Sequence, residues 1–168
     1  MSEKSPVLLL DTNIWLDLYL EYRPGYEAAK ALLDFAEVEN MTIAYASVSA
    51  KDIFYVICGE MKRLAREEKG GLSQADALAA RSVAWGCVRN MIQNAVAVPV
   101  GEPQVWLASH YENLHGDFED DLVLAALETS KADFFVTNDE VLRGKAPTGA
   151  FDAADMLAYL RMRDEAAV

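Results

Sequence analysis

With two cysteines and two histidines in 168 residues, the chain has little with which to build disulfides or a soft-metal site. Cys58 and Cys87 both fall in helical patterns rich in apolar residues, so each reads as a small buried hydrophobe. That reading goes with a reducing, cytoplasmic setting. His110 and His115 stand five apart in or near a loop without a nearby cysteine, which argues against a zinc pair and leaves them as surface residues. No apolar run approaches the roughly 20 residues that span a bilayer, so no membrane association is expected. The start, Met1-Ser2-Glu3-Lys4, has no apolar stretch of the signal-peptide kind. Positive charge is also scarce. Fifteen Lys and Arg against 27 Asp and Glu give a net charge of −12, which excludes a broad nucleic-acid-binding surface made of clustered cations. The densest basic segment, Lys62-Arg63 with Arg66 and Lys69, is interleaved with Glu60, Glu67 and Glu68 and reads as a solvated helix face. Gly70-Gly71 is followed by Leu72 and not by a Lys-Ser/Thr pair, so no phosphate-cradling glycine loop is present. Trp15, Trp85 and Trp106 are scattered and read as core residues rather than base-stacking platforms.

What is there is a chain that alternates short apolar runs with helical periodicity. An apolar fraction of 52% and a length of 168 residues are expected to give one domain, 1–168, with its own core. Strands are expected at 7–10, 42–46, 96–100, 133–137 and around 150–151. Helical spacing follows Pro24-Gly25, with Ala29, Leu32 and Ala36 on one face. Ser49 and Ser73 read as N-caps of two long helices separated by Gly70-Gly71. Two further helices over about 104–111 and 118–130, and a terminal one through 162, complete the order β-α-β-α-α-β-α-α-β-β-α. The fold class expected is α/β: an open parallel sheet of about five strands, helices on both faces, and an inserted helical pair between Ser49 and Asn94.

Four aspartates mark this pattern. Asp11 ends the apolar run Val7-Leu8-Leu9-Leu10, and Asp139 follows Phe134-Phe135-Val136-Thr137-Asn138. Asp52 and Asp120 fall in the first turns of two expected helices. In a parallel sheet the loops at the strands' carboxyl ends gather on one rim, where all four acids would converge. Taken singly, Asp52 and Asp120 also fit as helix-capping acids, within Ser49-Ala50-Lys51-Asp52 and Asp117-Phe118-Glu119-Asp120. Asn138-Asp139 also fits an ordinary turn. Asp11 is harder to explain as structure, because a charge at a buried strand end is costly without a partner. Carboxylates that share a rim repel one another unless a cation neutralises them. With oxygen ligands alone, the fitting cation is Mg²⁺ or Mn²⁺, which can ionise a water and hold a phosphate for in-line attack. Asn13 and Thr137 would orient a ligand or a metal-bound water.

The segments Asp11-Thr12-Asn13, Ser49-Ala50-Lys51-Asp52-Ile53-Phe54-Tyr55, Asp117-Phe118-Glu119-Asp120 and Val136-Thr137-Asn138-Asp139 resemble, in that order, the motifs of PIN-domain proteins. The resemblance spans roughly residues 7–160 and is nearest to the branch that includes VapC toxins. It implies a metal-dependent ribonuclease acting on RNA, commonly paired with an antitoxin protein and often a homodimer. It places catalytic roles on Asp11, Asp52, Asp120 and Asp139, with Asp11, Asp120 and Asp139 as metal ligands and Asn13 and Thr137 in support. Asp121 stands where that branch usually has a small residue.

Two other functions are open from the residues. A catalytically silent interaction module would use the acidic rim to hold a partner, and the charge of −12 favours it. A phosphatase with Asp11 as nucleophile would want an acid two residues on, where Asn13 has no proton to give. An apolar exposed face near Ile53 and Ile57 would point to a dimer.

Overall fold

Leu8, Leu9 and Leu10 are fully buried because the first strand, β1 (Val7–Leu10), is the middle of a five-stranded sheet. Leu8 and Leu10 enter one apolar core and Leu9 the other, as the two-residue period of a strand between two helical layers requires. The computed structural model describes residues 5–112 and 116–166. After β1 come α1 (Thr12–Tyr19), α2 (Tyr26–Val38), β2 (Thr42–Ala46), α3 (Ser49–Lys69), α4 (Gln74–Asn94), β3 (Val96–Val98), α5 (Glu102–Ala108), α6 (Phe118–Thr129), β4 (Phe134–Val136), α7 (Glu140–Lys145), β5 (Gly149–Phe151) and α8 (Ala153–Ala166). All strand pairings are parallel, in the order β3-β2-β1-β4-β5. One face carries residues of α2, α3, α4 and α8, the other those of α6 and α7. None of the described helices is long and apolar enough to cross a membrane.

The expected α/β class and its five strands are present. Two short helices, α1 and α7, are additions to the expected order. Thr12 and Asn13 are weak helix formers, and α7 is six residues long and includes Gly144. Local propensity gives neither helix away. Each is started by an aspartate cap and held by packing: Ile14 and Trp15 from α1 and Leu142 from α7 are buried.

Helices α3 and α4, 21 residues each, pack along one another. Gly70, at φ 73°, takes the left-handed turn that ends α3, and its N–H bonds to the Arg66 carbonyl. Ser73 caps α4 in a reciprocal box with Asp76. The fully buried residues of α3 stop at Cys58, and beyond Met61, which still packs on the core, the helix runs out along α4. There the basic segment is a solvated face, with Arg63 paired to Glu60 and Glu67 and Lys69 paired to Asp76.

Several expectations need correction. Ser49 is not a cap: it is the first residue of α3, fully buried, and its hydroxyl accepts from Thr12 Oγ1 at 2.9 Å. Ile53 and Ile57 face the core, and the exposed apolar side of α3 carries Tyr55 and Val56. Only Trp15 of the three tryptophans is core; Trp85 and Trp106 are 49% and 64% exposed. Both cysteines are free thiols. His110 packs on the Trp106 ring with Nδ1 at 2.8 Å from the Trp106 carbonyl, while His115 lies outside the described residues.

Candidate active site

Strand register decides which polar residues meet. Leu10 of β1 pairs with Val136 of β4, so the next residues, Asp11 and Thr137, leave the two strands side by side. The Asp11 N–H still donates to the Val136 carbonyl at 2.9 Å, and the Thr137 N–H to the Phe151 carbonyl at 2.9 Å. Between β1 and β4 the chain order of the sheet reverses, which opens a crevice at the strands' carboxyl ends.

Asp11 caps α1 there and is 4% exposed. Its Oδ1 accepts from the Thr12 N–H at 2.7 Å. Its Oδ2 accepts from Asn13 Nδ2 and from Thr137 Oγ1, both at 2.7 Å. Thr137 is fully buried, and its hydroxyl oxygen accepts in turn from Asn13 Nδ2 at 3.0 Å and from the Asp139 N–H at 3.1 Å. Asn13 and Thr137 therefore act first on Asp11 itself, fixing its plane. Burial pushes the Asp11 carboxyl above its ordinary pKa, the charge of Asp139 adds to this, and the three hydrogen bonds oppose it. The result is a pre-shaped but desolvated acid.

The opposite wall is borne by helices. A cleft of about 230 Å³ is lined by Asp11, Thr12, Asn13 and Leu16 on one side and by Asp52, Val56, Glu119, Asp120 and Val123 on the other. Asp52 sits in the first turn of α3, and Glu119 and Asp120 in the first turn of α6. Lys51 joins these two helices along this wall, with Nζ at 3.0 Å from Asp52 Oδ1 and 3.2 Å from Glu119 Oε1. Asp117, by contrast, is a cap, its carboxylate accepting from the N–H groups of Glu119 and Asp120.

Asp11, Asp52 and Asp120 are thus brought to one cleft. Asp139 caps α7, where its Oδ1 accepts from the Leu142 N–H at 2.9 Å, and it does not line the cleft. Among the described residues, no three His, Cys, Asp or Glu side chains gather into a ready-made metal cage. Asp121 is buried at 2% exposure and lies outside the cleft lining.

Sequence reasoning passed over another buried acid. Asp17, 2% exposed, accepts from Arg23 Nε and from Asn138 Nδ2, each at 2.5 Å. The Asn138 N–H donates to Asn13 Oδ1 at 3.2 Å. A continuous chain, Arg23–Asp17–Asn138–Asn13–Asp11, therefore braces the first wall. Gly25 leaves it room: a Cβ there would lie 1.9 Å from Asp17 Oδ2. The nearest sequence signal was Pro24-Gly25 beside Arg23, which reads as a turn.

A family model for the PIN domain matches residues 7–140. No curated protein matches. The fold is similar to that of VapBC2 from Rickettsia felis, solved bound to a DNA fragment from its promoter. The TM-score is 0.59 at 13% identity, covering 87% of this chain and 98% of that one. It is also similar to PAE2754 from Pyrobaculum aerophilum, at TM-score 0.56 and 18% identity, covering 94% and 96%. The chain belongs to the PIN domain family.

Proposed function

We propose that this PIN domain is a metal-dependent endoribonuclease and the toxin of a toxin–antitoxin pair. The observation that carries the reading is Asp11: a carboxylate at the sheet's switch point, 4% exposed and held by three donors, that opens on a cleft with Asp52 and Asp120 on its far wall. A desolvated acid facing further acids favours an added cation. The donor set is oxygen throughout, which suits Mg²⁺ or Mn²⁺. Such ions keep several waters and use one or two protein carboxylates, so a closed cage is not needed.

Asp11 and Asp120, which line the cleft, would hold the ion together with Asp139, whose charge is felt at Asp11. When bound, it would supply an ionised water and a grip on the scissile phosphate. Asp52 would accept a hydrogen bond from that water and orient it. Asn13 and Thr137 keep the Asp11 carboxylate in one plane.

Family membership supports nuclease chemistry, and the likeness to VapBC2 supports an antitoxin partner. A cytoplasmic setting fits two free thiols. Leu78, Trp85 and Ile92, at seven-residue spacing, leave an exposed apolar stripe on α4 that suits a homodimer contact or the antitoxin. The second reading, a silent interaction module, is favoured by the charge of −12, which repels RNA.

Calorimetric titration of Mn²⁺ into wild type and Asp11→Asn, followed by incubation of both with a mixed RNA pool, separates the two. Metal binding and cleavage that are both lost in the variant support the nuclease. A wild type that does not bind the ion returns the chain to the silent module.

A further inference from the structure

Lys51 stands where a helix is least hospitable to a cation. It lies in the first turn of α3, where the aligned peptide dipoles favour an acid. Its ammonium also meets Glu119 from the first turn of α6, so two positive helix ends oppose it. Nor does helix geometry supply its contact with Asp52, since side chains one apart on a helix do not face each other. Yet Nζ lies 3.0 Å from Asp52 Oδ1 and 3.2 Å from Glu119 Oε1. The attraction that holds it is the negative charge of the cleft, whose lining includes the carboxylates of Asp11, Asp52, Glu119 and Asp120.

The hold is weak. Lys51 and Glu119 are both more than half exposed, and ion pairs this open to water contribute little. Asp52 is the sheltered partner, and it is the carboxylate that would also have to accept from a metal-bound water. Ammonium and metal site therefore draw on one side chain.

We infer, on the nuclease reading of the cleft, that Lys51 is the counter-ion of the metal-free site, that the dication displaces it, and that it thereby sets how tightly the metal is held. Without metal, the ammonium offsets part of the repulsion among the carboxylates and ties α3 to α6. A dication brings twice the charge to the same carboxylates, and like charge drives the ammonium out into water. The flexible four-carbon stem lets it leave at little cost. A lysine that only strapped the two helices together would act with the opposite sign. It would hold the first turn of α6, with Asp120, against the cleft, and its loss would weaken metal binding.

Calorimetric titration of the full chain with Mn²⁺ reads that sign. Lys51→Met removes the charge, and it is expected to bind Mn²⁺ about fivefold more tightly than wild type, the order of one charge acting on a dication through water. Lys51→Arg keeps the charge and should stay within about twofold of wild type. The gain in Lys51→Met should shrink in about 1 M KCl, where the screening length is about 3 Å. Without metal, Lys51→Met should melt slightly below wild type, because the neutralising charge is gone. A second readout does not depend on any variant's affinity. The ε-methylene NMR signal of Lys51, assigned by its loss in Lys51→Arg, should move as Mg²⁺ is added, with the midpoint of calorimetric Mg²⁺ binding.

A wild type that binds Mn²⁺ together with a Lys51→Met protein that binds it equally or more weakly overturns the displaced counter-ion and leaves the nuclease reading standing. So does a Lys51 signal that stays in place while Mg²⁺ fills the site, or a Lys51→Arg protein that gains affinity as Lys51→Met does. A wild type that binds neither ion overturns the nuclease reading, and the role of Lys51 falls with it.

Discussion

The two walls of the cleft are built in different ways. On the sheet side, Asp11 is 4% exposed and each of its oxygens accepts from the protein. On the helix side, Asp52 and Glu119 are held by one exposed lysine. The first wall is shaped before any ligand arrives, because hydrogen bonds and strand register leave Asp11 one orientation. The second is held by ion pairs in water, which contribute little and rearrange readily. A rigid wall opposite a compliant one suits a site that fixes a cation on one side and adapts to a flexible strand on the other.

The sharpest way to break this contrast is Asp11→Asn. Removing the central carboxylate should abolish metal-dependent cleavage of RNA and remove the rise in melting temperature that Mn²⁺ gives wild type. For wild type that rise corresponds to about 2.7 kcal/mol when the ion is at a hundred times its dissociation constant. Without metal the variant should be no less stable near neutral pH. Burial raises the Asp11 pKa in the folded protein, so on raising the pH the unfolded chain releases this proton first. Between the two values the folded state holds more protons, and this group's contribution falls as pH rises. Asp11→Asn lacks that decline, so its urea midpoint should lose less between acid and neutral pH. An equal decline in both proteins would show that Asp11 is not the buried charge.

On the compliant wall, Asp52→Asn should be milder. It keeps the shape but weakens the orientation of the attacking water, and a loss of the order of 100-fold in cleavage is expected, typical of groups that orient a metal's ligands. Mn²⁺ titration should change little. A variant that loses metal binding as completely as Asp11→Asn would move Asp52 into the ligand set and erase the distinction between the walls.

The acids were legible before the fold because each follows a recognisable event. Asp11 ends a four-residue apolar run, and Asp52 and Asp120 fall one turn into helices that periodicity marks. The bracing was not. Asp17 stands in α1, whose helical character comes from packing; Arg23 and Gly25 come from the turn that follows it, and Asn138 from just after β4, 121 residues away. Nothing in residue type or spacing brings Asn138 to Asp17; the β1–β4 register does. Ser49 misled for a related reason. It has the capping type at a capping position, but Thr12 takes its hydroxyl, a contact set by the approach of α1 to α3. Trp85 and Trp106 misled because size predicts burial only where a core has room.

That brace provides the next test. In Gly25→Ala the new Cβ collides with Asp17 Oδ2, so Asp17 or the turn must shift. A loss of about 2 kcal/mol in urea unfolding is expected, in the range for overpacking a tight site. Because Asn138 and Asn13 follow Asp17, Mn²⁺ affinity should fall too. A stability loss with metal affinity intact would make the chain from Arg23 to Asp11 a structural feature alone.

The smallest expected effect serves as the control, at the far end of the helical pair. Ser73→Ala removes the hydroxyl that accepts from the Asp76 N–H at 3.1 Å and donates to its carboxylate at 2.6 Å. Loss of such a cap costs about 1 kcal/mol. The cap begins α4, while the cleft meets this helical pair only at the opposite end of α3, through Asp52 and Val56. The urea midpoint should therefore drop while Mn²⁺ affinity and RNA cleavage stay at wild-type values. A drop in metal affinity here would mean that the helix-borne wall feels the whole length of the pair, and its compliance would then be a property of the α3–α4 unit rather than of the ion pairs at Lys51.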